Sequence, residues 1–186
     1  MPEISVLLPV RDGARTLALA MLSVLEQSFG DFELLVLDDG SVDASPDIAL
    51  RFGDPRVRLL RDGAKQTLAA RLNQGIATAT GRYIARMDAD DVCFPDRFAR
   101  QVERLNAETS LDLVACRVLD FDNGGSVTGL RPYRLSHAAL CAQAWNGFYL
   151  VHPSWMGRAE WFRRYRYRTP GLLRAQDQEL LLRACP

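Results

Sequence analysis

The chain has 186 residues, with 23 Lys+Arg against 23 Asp+Glu and a formal net charge of zero. Hydrophobic residues make up 48% and charged residues 25%, a globular composition long enough to bury a core in one domain of ordinary size, which excludes a disordered chain. The balanced charge excludes a general attraction to nucleic-acid backbone and leaves only local basic patches for that role.

Ile4 to Pro9 (ISVLLP) is almost wholly apolar, the pattern of a strand buried on both faces of a parallel sheet. The loop VRDGAR follows. Leu17, Ala20, Met21, Val24 and Leu25 then recur at helical spacing, which predicts a helix over about 15–27. Phe32 to Leu37 (FELLVL) reads as a second strand, stopped by Asp38, Asp39, Gly40 and Ser41. In an open α/β sheet, ligands sit beyond the carboxyl ends of the strands, where this DDGS falls. The same residues also suit an Asp-Gly turn with a helix cap, Asp43 or Ser45 opening a helix that runs to Phe52. Arg56 to Leu60 is a third short strand, and a helix over 66–78 carries Arg71, Asn73 and Gly75, whose missing side chain permits close backbone approach.

After the break at Gly81 comes RYIARMDADDVCFPD, an apolar strand running straight into Asp88, Asp90 and Asp91. Two like charges about 5 Å apart repel by roughly 3 kcal/mol at an effective dielectric near 20, so the cluster calls for a counter-charge. A hard divalent cation, Mg²⁺ or Mn²⁺, takes carboxylate and phosphate oxygens, which points to a metal-bridged diphosphate. Asp also caps helices, and Pro95-Asp96 looks like a first helical turn. Capping accounts for one or two of these carboxylates, not three.

Four strands alternating with helices predict a doubly wound α/β sheet whose acidic groups emerge along one edge. Phe98, Val102 and Leu105 mark a helix over 95–106, and Leu111 to Phe121 reads as a longer strand. Asn123-Gly124-Gly125 signals a turn, with a return strand or ordered loop over 126–134. A helix capped by Ser136 is expected to Trp145, then a strand over 148–156 bent or placed at an edge by Pro153. His152 in that strand suits a core position or a ligand contact. Trp161 to Arg168 (WFRRYRYR) suits a surface segment with snorkelling arginines, or a phosphate-binding one. A last helix over 175–184 puts Asp177 in its first turn, where a carboxylate also suits the helix dipole.

The four cysteines, Cys93, Cys116, Cys141 and Cys185, form no CxxC pair, which argues against zinc or a disulfide framework and for a reducing cytosolic setting. No signal peptide and no run of about 20 apolar residues appears, so membrane attachment is expected only outside this chain. The last helix stops at Pro186 with nothing to seal it, which suggests a single domain over 1–186 truncated at its C-terminus.

VLLPVRDG, VLDDGSVD, YIARMDADD and AQDQELLLR, with HPSWM before the last, stand in one order from Ile4 to Arg183. In that order the chain resembles the family 2 glycosyltransferases with the GT-A fold, a Rossmann-like, mixed, mostly parallel sheet flanked by helices. The resemblance implies a nucleotide-sugar donor, most often a uridine diphosphate sugar, and transfer with inversion to a hydroxyl of a saccharide or lipid-linked saccharide acceptor, in polysaccharide or glycoconjugate synthesis. It implies no nucleic-acid partner, and a place in the cytoplasm or at the inner face of the membrane.

By the same resemblance, Pro9, Val10, Arg11, Asp38, Asp39, Arg71 and Asp88 face the nucleotide. Arg11 and Asp12 replace the aromatic and the amide common in the first motif, so a guanidinium would stand where a ring stacks on the base. Asp88-Ala89-Asp90 matches the DxD motif: Asp90 takes Mg²⁺ or Mn²⁺ directly, Asp88 faces the ribose or a metal water, and Asp91 orients the loop or the donor sugar. Asp177 matches the acidic residue proposed as catalytic base, with Gln176 where many relatives have Glu. The Gly-Gly-Tyr often found just before it is absent. Two other readings stand beside this one: a nucleotide-binding module without turnover, and a metal-dependent nucleotidyltransferase, to which VRDGAR is a poor match.

Overall fold

The computed structural model describes residues 1–133, 136–142, 150–170 and 175–184. The first apolar run and the next residue, Val10, form strand β1 (Ile4–Val10), buried throughout, as is all of β2 (Phe32–Asp38). The two run parallel with Val10 opposite Asp38, so both chains leave the sheet at one edge. Helices α1 (Leu17–Leu25) and α2 (Ser45–Arg51) make the crossovers to β2 and to β3 (Val57–Leu60), which pairs parallel with β2. Helix α3 (Leu68–Thr78) returns the chain to β4 (Tyr83–Arg86), parallel to β1 on its other side. Crossovers of this kind cover both faces, which is why the central strands are apolar throughout.

One face buries Ile4, Val6 and Leu8 against Leu17, Met21 and Val24 of α1 and against Phe98, Val102 and Leu105 of α4 (Arg97–Ala107). The other face buries Leu7, Leu35 and Leu37 against Leu72 and Ile76 of α3. A side chain at Gly75 would come within 2.9 Å of Leu7 and Leu37 carbons, so glycine there sets how closely α3 lies on the sheet.

The expected strand over 111–121 is two strands. Leu113 and Val114 form β5 at the sheet edge, while β6 (Leu119–Phe121) pairs with β7 (Val127–Leu130) in a separate hairpin closed by the predicted turn. The break falls at an exposed stretch where Arg117 leaves the sheet to stack 4.2 Å over the Tyr133 ring. Ser136 caps α5 (His137–Cys141), its Oγ accepting from the Ala139 N–H at 3.3 Å. The rest of the helix expected to Trp145, and Phe148 of the expected strand, lie outside the described residues.

That next strand is also displaced. His152–Ser154 is a 3₁₀ turn, and the strand proper is β8 (Met156–Arg158), because Pro153 removes a ladder donor and bends the run first. β8 is antiparallel to both β4 and β5, giving the order β3-β2-β1-β4-β8-β5. In α6 (Ala159–Arg164) and just beyond it, Trp161, Phe162 and Tyr167 are buried core while Arg163, Arg164, Arg166 and Arg168 face out. The aromatics of WFRRYRYR therefore build the core instead of a surface platform. Leu180 and Leu181 bring α7 (Gln176–Ala184) onto the same face of the sheet.

Candidate active site

The carboxyl ends of β1 and β2 continue into two loops that are zipped together. Asp12 N–H donates to Ser41 Oγ at 3.0 Å, Gly13 N–H to Ser45 Oγ at 2.9 Å, and Ala14 N–H to an Asp43 carboxylate oxygen at 2.9 Å. In return Asp12 accepts from the Val42 N–H at 2.9 Å. Asp43 and Ser45, expected as helix caps, thus also anchor the preceding motif, and α2 itself has no side-chain cap. Asp12 holds this contact with a positive φ of 50°, a conformation aspartate tolerates better than most residues. Pro9 and Val10 are buried in β1, and Val10 offers its carbonyl to the Asp39 N–H at 2.9 Å. Arg11 is exposed and pairs with Asp12 at 3.8 Å.

Asp38 is fully buried, and Ser41 N–H donates to its Oδ1 at 3.3 Å. Its Oδ2 lies 3.3 Å from Arg61 Nε, yet the angle makes no hydrogen bond and that oxygen has no donor among the described residues. Asp39 accepts from Gln66 N–H at 2.7 Å and from Arg71 Nε at 2.9 Å. Arg71 has no exposed surface, and its two terminal nitrogens also bind both Asp62 oxygens, at 2.9 and 2.7 Å, and one of them the Ala64 carbonyl. The guanidinium beside it holds the Asp62 carboxyl well below the usual range. Arg71 was expected toward the nucleotide; it stands behind Asp39, clamping the loop that carries it.

The third group follows β4. Oxygens of Asp88, Asp90 and Asp91 all lie within 4.8 Å of one another, with Asp90 exposed and the others half-buried. Burial first, then the charges of Asp88 and Asp90, push the Asp91 carboxyl above its usual range. Crowded carboxylate oxygens, one of them reluctant to ionise, are a donor set that a hard divalent cation relieves, so Mg²⁺ or Mn²⁺ fits here. Gly13 links this loop to the first one: a side chain there would come within 3.7 Å of Ala89 Cβ and 2.8 Å of Val10 Cγ2. Below the acidic loop, Arg97 is buried in α4 and donates to the carbonyls of Arg86 at 2.9 Å and Trp155 at 3.3 Å.

On the other side of β4, the His152 and Tyr167 side chains share a hydrogen bond of 2.6 Å. Burial, then the Arg86 charge, holds the His152 pKa well below its usual value, while burial pushes the Tyr167 hydroxyl up. The neutral imidazole and the tyrosine hydroxyl thus satisfy each other in the core. Asn73 of α3 grips the Tyr167 backbone at both ends, donating to its carbonyl at 2.7 Å and accepting from its N–H at 3.1 Å. Asp177 stands in the first turn of α7, and its negative charge adds to the rise of the Tyr167 hydroxyl. Among the described residues no hydrogen bond or ion pair engages Asp177, whereas Glu179 is held by Arg183 and Arg168.

Sequence reasoning passed over Asp62, Arg61, Arg86 and Tyr167. Arg86 left a signal: a charge inside the apolar YIARM, two residues before Asp88 and so on the same strand face. Asp62 left none, because its partner Arg71 is nine residues away across a loop. A hollow of about 260 Å³ bounded by Ala49, Leu50, Gly53, Asp54, Val57 and Leu59 lies between α2 and β3, away from these carboxylates.

A sheet with acidic loops at its carboxyl edge is matched by the family model described as Glycosyl transferase family 2, over residues 5–166. The chain belongs to that family. It is 38% identical over 133 residues to EpsE of Bacillus subtilis, named as a glycosyltransferase, covering 70% of this chain and 48% of EpsE. The chain thus spans about half the length of that curated relative. Among solved structures, S. aureus TarS in complex with UDP superposes with a TM-score of 0.81 at 17% identity, over 98% of this chain and 54% of that one. The mannosyltransferase PcManGT from Pyrobaculum calidifontis, in complex with GDP-Man and Mn²⁺, gives 0.73 at 19% identity over 98% and 51%. At those identities the two structures share the GT-A fold with this chain.

Proposed function

We propose that the chain is the catalytic part of an inverting glycosyltransferase that moves a sugar from a nucleoside diphosphate donor to an acceptor hydroxyl. The observation that carries this reading is the Asp88-Asp90-Asp91 cluster at the same sheet edge as Asp38 and Asp39. The fold likeness to TarS bound to UDP supports a uridine diphosphate donor.

Asp38 and Asp39 hold the nucleoside. Asp38 Oδ2, buried and without a hydrogen-bond donor among the described residues, suits a ring N–H of a pyrimidine. Arg71 keeps Asp39 in place from behind. Asp90 and Asp88 would hold Mg²⁺ or Mn²⁺, which when bound supplies a Lewis acid to the diphosphate; Asp91 orients the loop or the donor sugar. The acceptor oxygen attacks the anomeric carbon as the bond from that carbon to the diphosphate oxygen breaks. Its proton passes to the Asp177 carboxylate, and the nucleoside diphosphate leaves with the bonding pair. One in-line displacement inverts the configuration. The acceptor, a saccharide or a lipid-linked saccharide, enters from the Tyr167 and Asp177 side. No helix among the described residues is long and apolar enough to cross a membrane, so contact with the inner membrane face would come through other segments or through the acceptor.

A thermal-shift screen of nucleotide sugars with and without Mn²⁺, paired with a donor-hydrolysis assay, tests this. A ligand at one hundred times its Kd raises stability by about 2.7 kcal/mol, so the true donor stands out. The expected result is stabilisation by one uridine diphosphate sugar, only with metal, and slow hydrolysis of it. Binding without hydrolysis or transfer favours the binding module, and no binding of any nucleotide sugar removes the transferase reading.

A further inference from the structure

Arg86 is the last residue of β4, and alternation with Ile84 puts its side chain on the sheet face that carries α3, α6 and α7. Its side chain is only 5% exposed. One terminal nitrogen pairs with Asp88 Oδ1, while Nε and the other terminal nitrogen have no hydrogen-bond partner among the described residues. A buried arginine with idle donors is costly. Its backbone is fixed on both sides: Arg86 N–H donates to the Trp155 carbonyl at 2.9 Å, and the Arg86 carbonyl accepts from Arg97. The same Trp155 closes the turn that carries His152.

A contact path leads from the same residue to the acceptor side: Trp155, whose carbonyl takes the Arg86 N–H, packs its ring edge-on against His152 with centroids 4.7 Å apart, and His152 shares a hydrogen bond with Tyr167. Arg86 therefore meets Asp88 through its side chain and the turn that carries His152 through its backbone.

We propose that Arg86 is a positioning residue that holds Asp88 by one oxygen, moderates the charge of the acidic loop, and couples that loop through Trp155 to the His152–Tyr167 pair. The idea rests on the transferase reading above. A cation this close competes with a divalent ion for Asp88. The arrangement lowers the affinity for free metal while keeping the Asp88 carboxylate in one orientation, which serves turnover and not metal capture.

This gives an expectation opposite to that of a merely structural residue. Arg86→Met keeps the aliphatic stem and removes the charge, and Arg86→Lys keeps the charge but not the fork. Mn²⁺ binding to each variant is measured by electron paramagnetic resonance without nucleotide, alongside kcat and KM with the donor found in the screen and thermal unfolding without metal. Arg86→Met should bind Mn²⁺ roughly three- to tenfold more tightly, by removal of a nearby like charge, while kcat falls at least about tenfold. Arg86→Lys should bind Mn²⁺ as the wild type does and still lose kcat. If Arg86→Met fails to fold, the lysine variant carries the test. Unchanged kcat in Arg86→Lys, or weaker Mn²⁺ binding in a folded Arg86→Met, overturns the role of Arg86 and leaves the transferase reading standing. Wild-type protein that neither binds Mn²⁺ nor transfers sugar overturns both.

Discussion

At the amino-terminal edge of the sheet, the Glu33 carboxylate is surrounded by donors. Ser5 Oγ reaches it at 2.7 Å, Thr80 N–H at 2.8 Å, Thr80 Oγ1 at 2.7 Å and Arg58 at 2.7 Å. At the carboxyl edge, three buried side-chain atoms have no hydrogen-bond partner among the described residues: Asp38 Oδ2, and Nε and Nη1 of Arg86. The sheet carries buried charge at both ends, and only one end is satisfied by the chain itself. Buried polar groups are normally paired, so the difference marks which edge serves stability and which is built for a ligand.

The comparison breaks most visibly at Asp177. Asp177→Asn removes the proton acceptor and should lower kcat by roughly 10²- to 10⁴-fold while donor affinity by calorimetry stays near wild type; full activity removes Asp177 from the mechanism. Arg71→Leu, behind the same edge, leaves Asp39 and Asp62 without their shared cation. Urea unfolding should show a loss of about 3 kcal/mol, and nucleotide affinity should fall with it. If affinity is untouched, the Asp39 loop is not part of the nucleoside site.

Glu33→Gln sharpens the contrast from the other end. It should cost about 1–2 kcal/mol at neutral pH and leave turnover and nucleotide affinity unchanged. Burial alone raises the Glu33 pKa, but the hydrogen bonds from Ser5, Thr80 and Arg58 outweigh it and bring the folded value below the usual 4.5. A lowered folded value means stability present above the unfolded pKa and lost as pH falls through the folded one. The gap between wild type and Glu33→Gln should therefore be full at pH 7 and close on acidification. A gap that persists in acid assigns the loss to packing. The smallest effect is expected from Asn73→Ala, which frees the Tyr167 backbone: acceptor KM should rise a few-fold, with donor KM unchanged. Equal changes in both would detach Tyr167 from the acceptor side.

The parts legible in the sequence are those with strong local pattern. FELLVL before DDGS and YIARM before DADD announce buried parallel strands with acidic ends, and both strands occur there. Less legible was 111–121, because a two-residue strand and a hairpin strand share one apolar run that only the short partner β8 divides. His152 could be a ligand contact in sequence because nothing near it names its partner; Tyr167, fifteen residues on, takes its Nε2. Arg71 shows the same limit. Helical spacing places it in α3, but its partners Asp39 and Asp62 come from two other loops.

The central claim is that carboxylates from separate loops meet at one edge to hold a nucleoside diphosphate through an ion. Crystals grown with UDP and Mn²⁺, with data collected at the manganese absorption edge, locate the ion directly. The account predicts an anomalous peak at the Asp90 carboxylate with the uracil ring against Asp38 and Asp39. A peak elsewhere, or a uracil away from that loop, contradicts it.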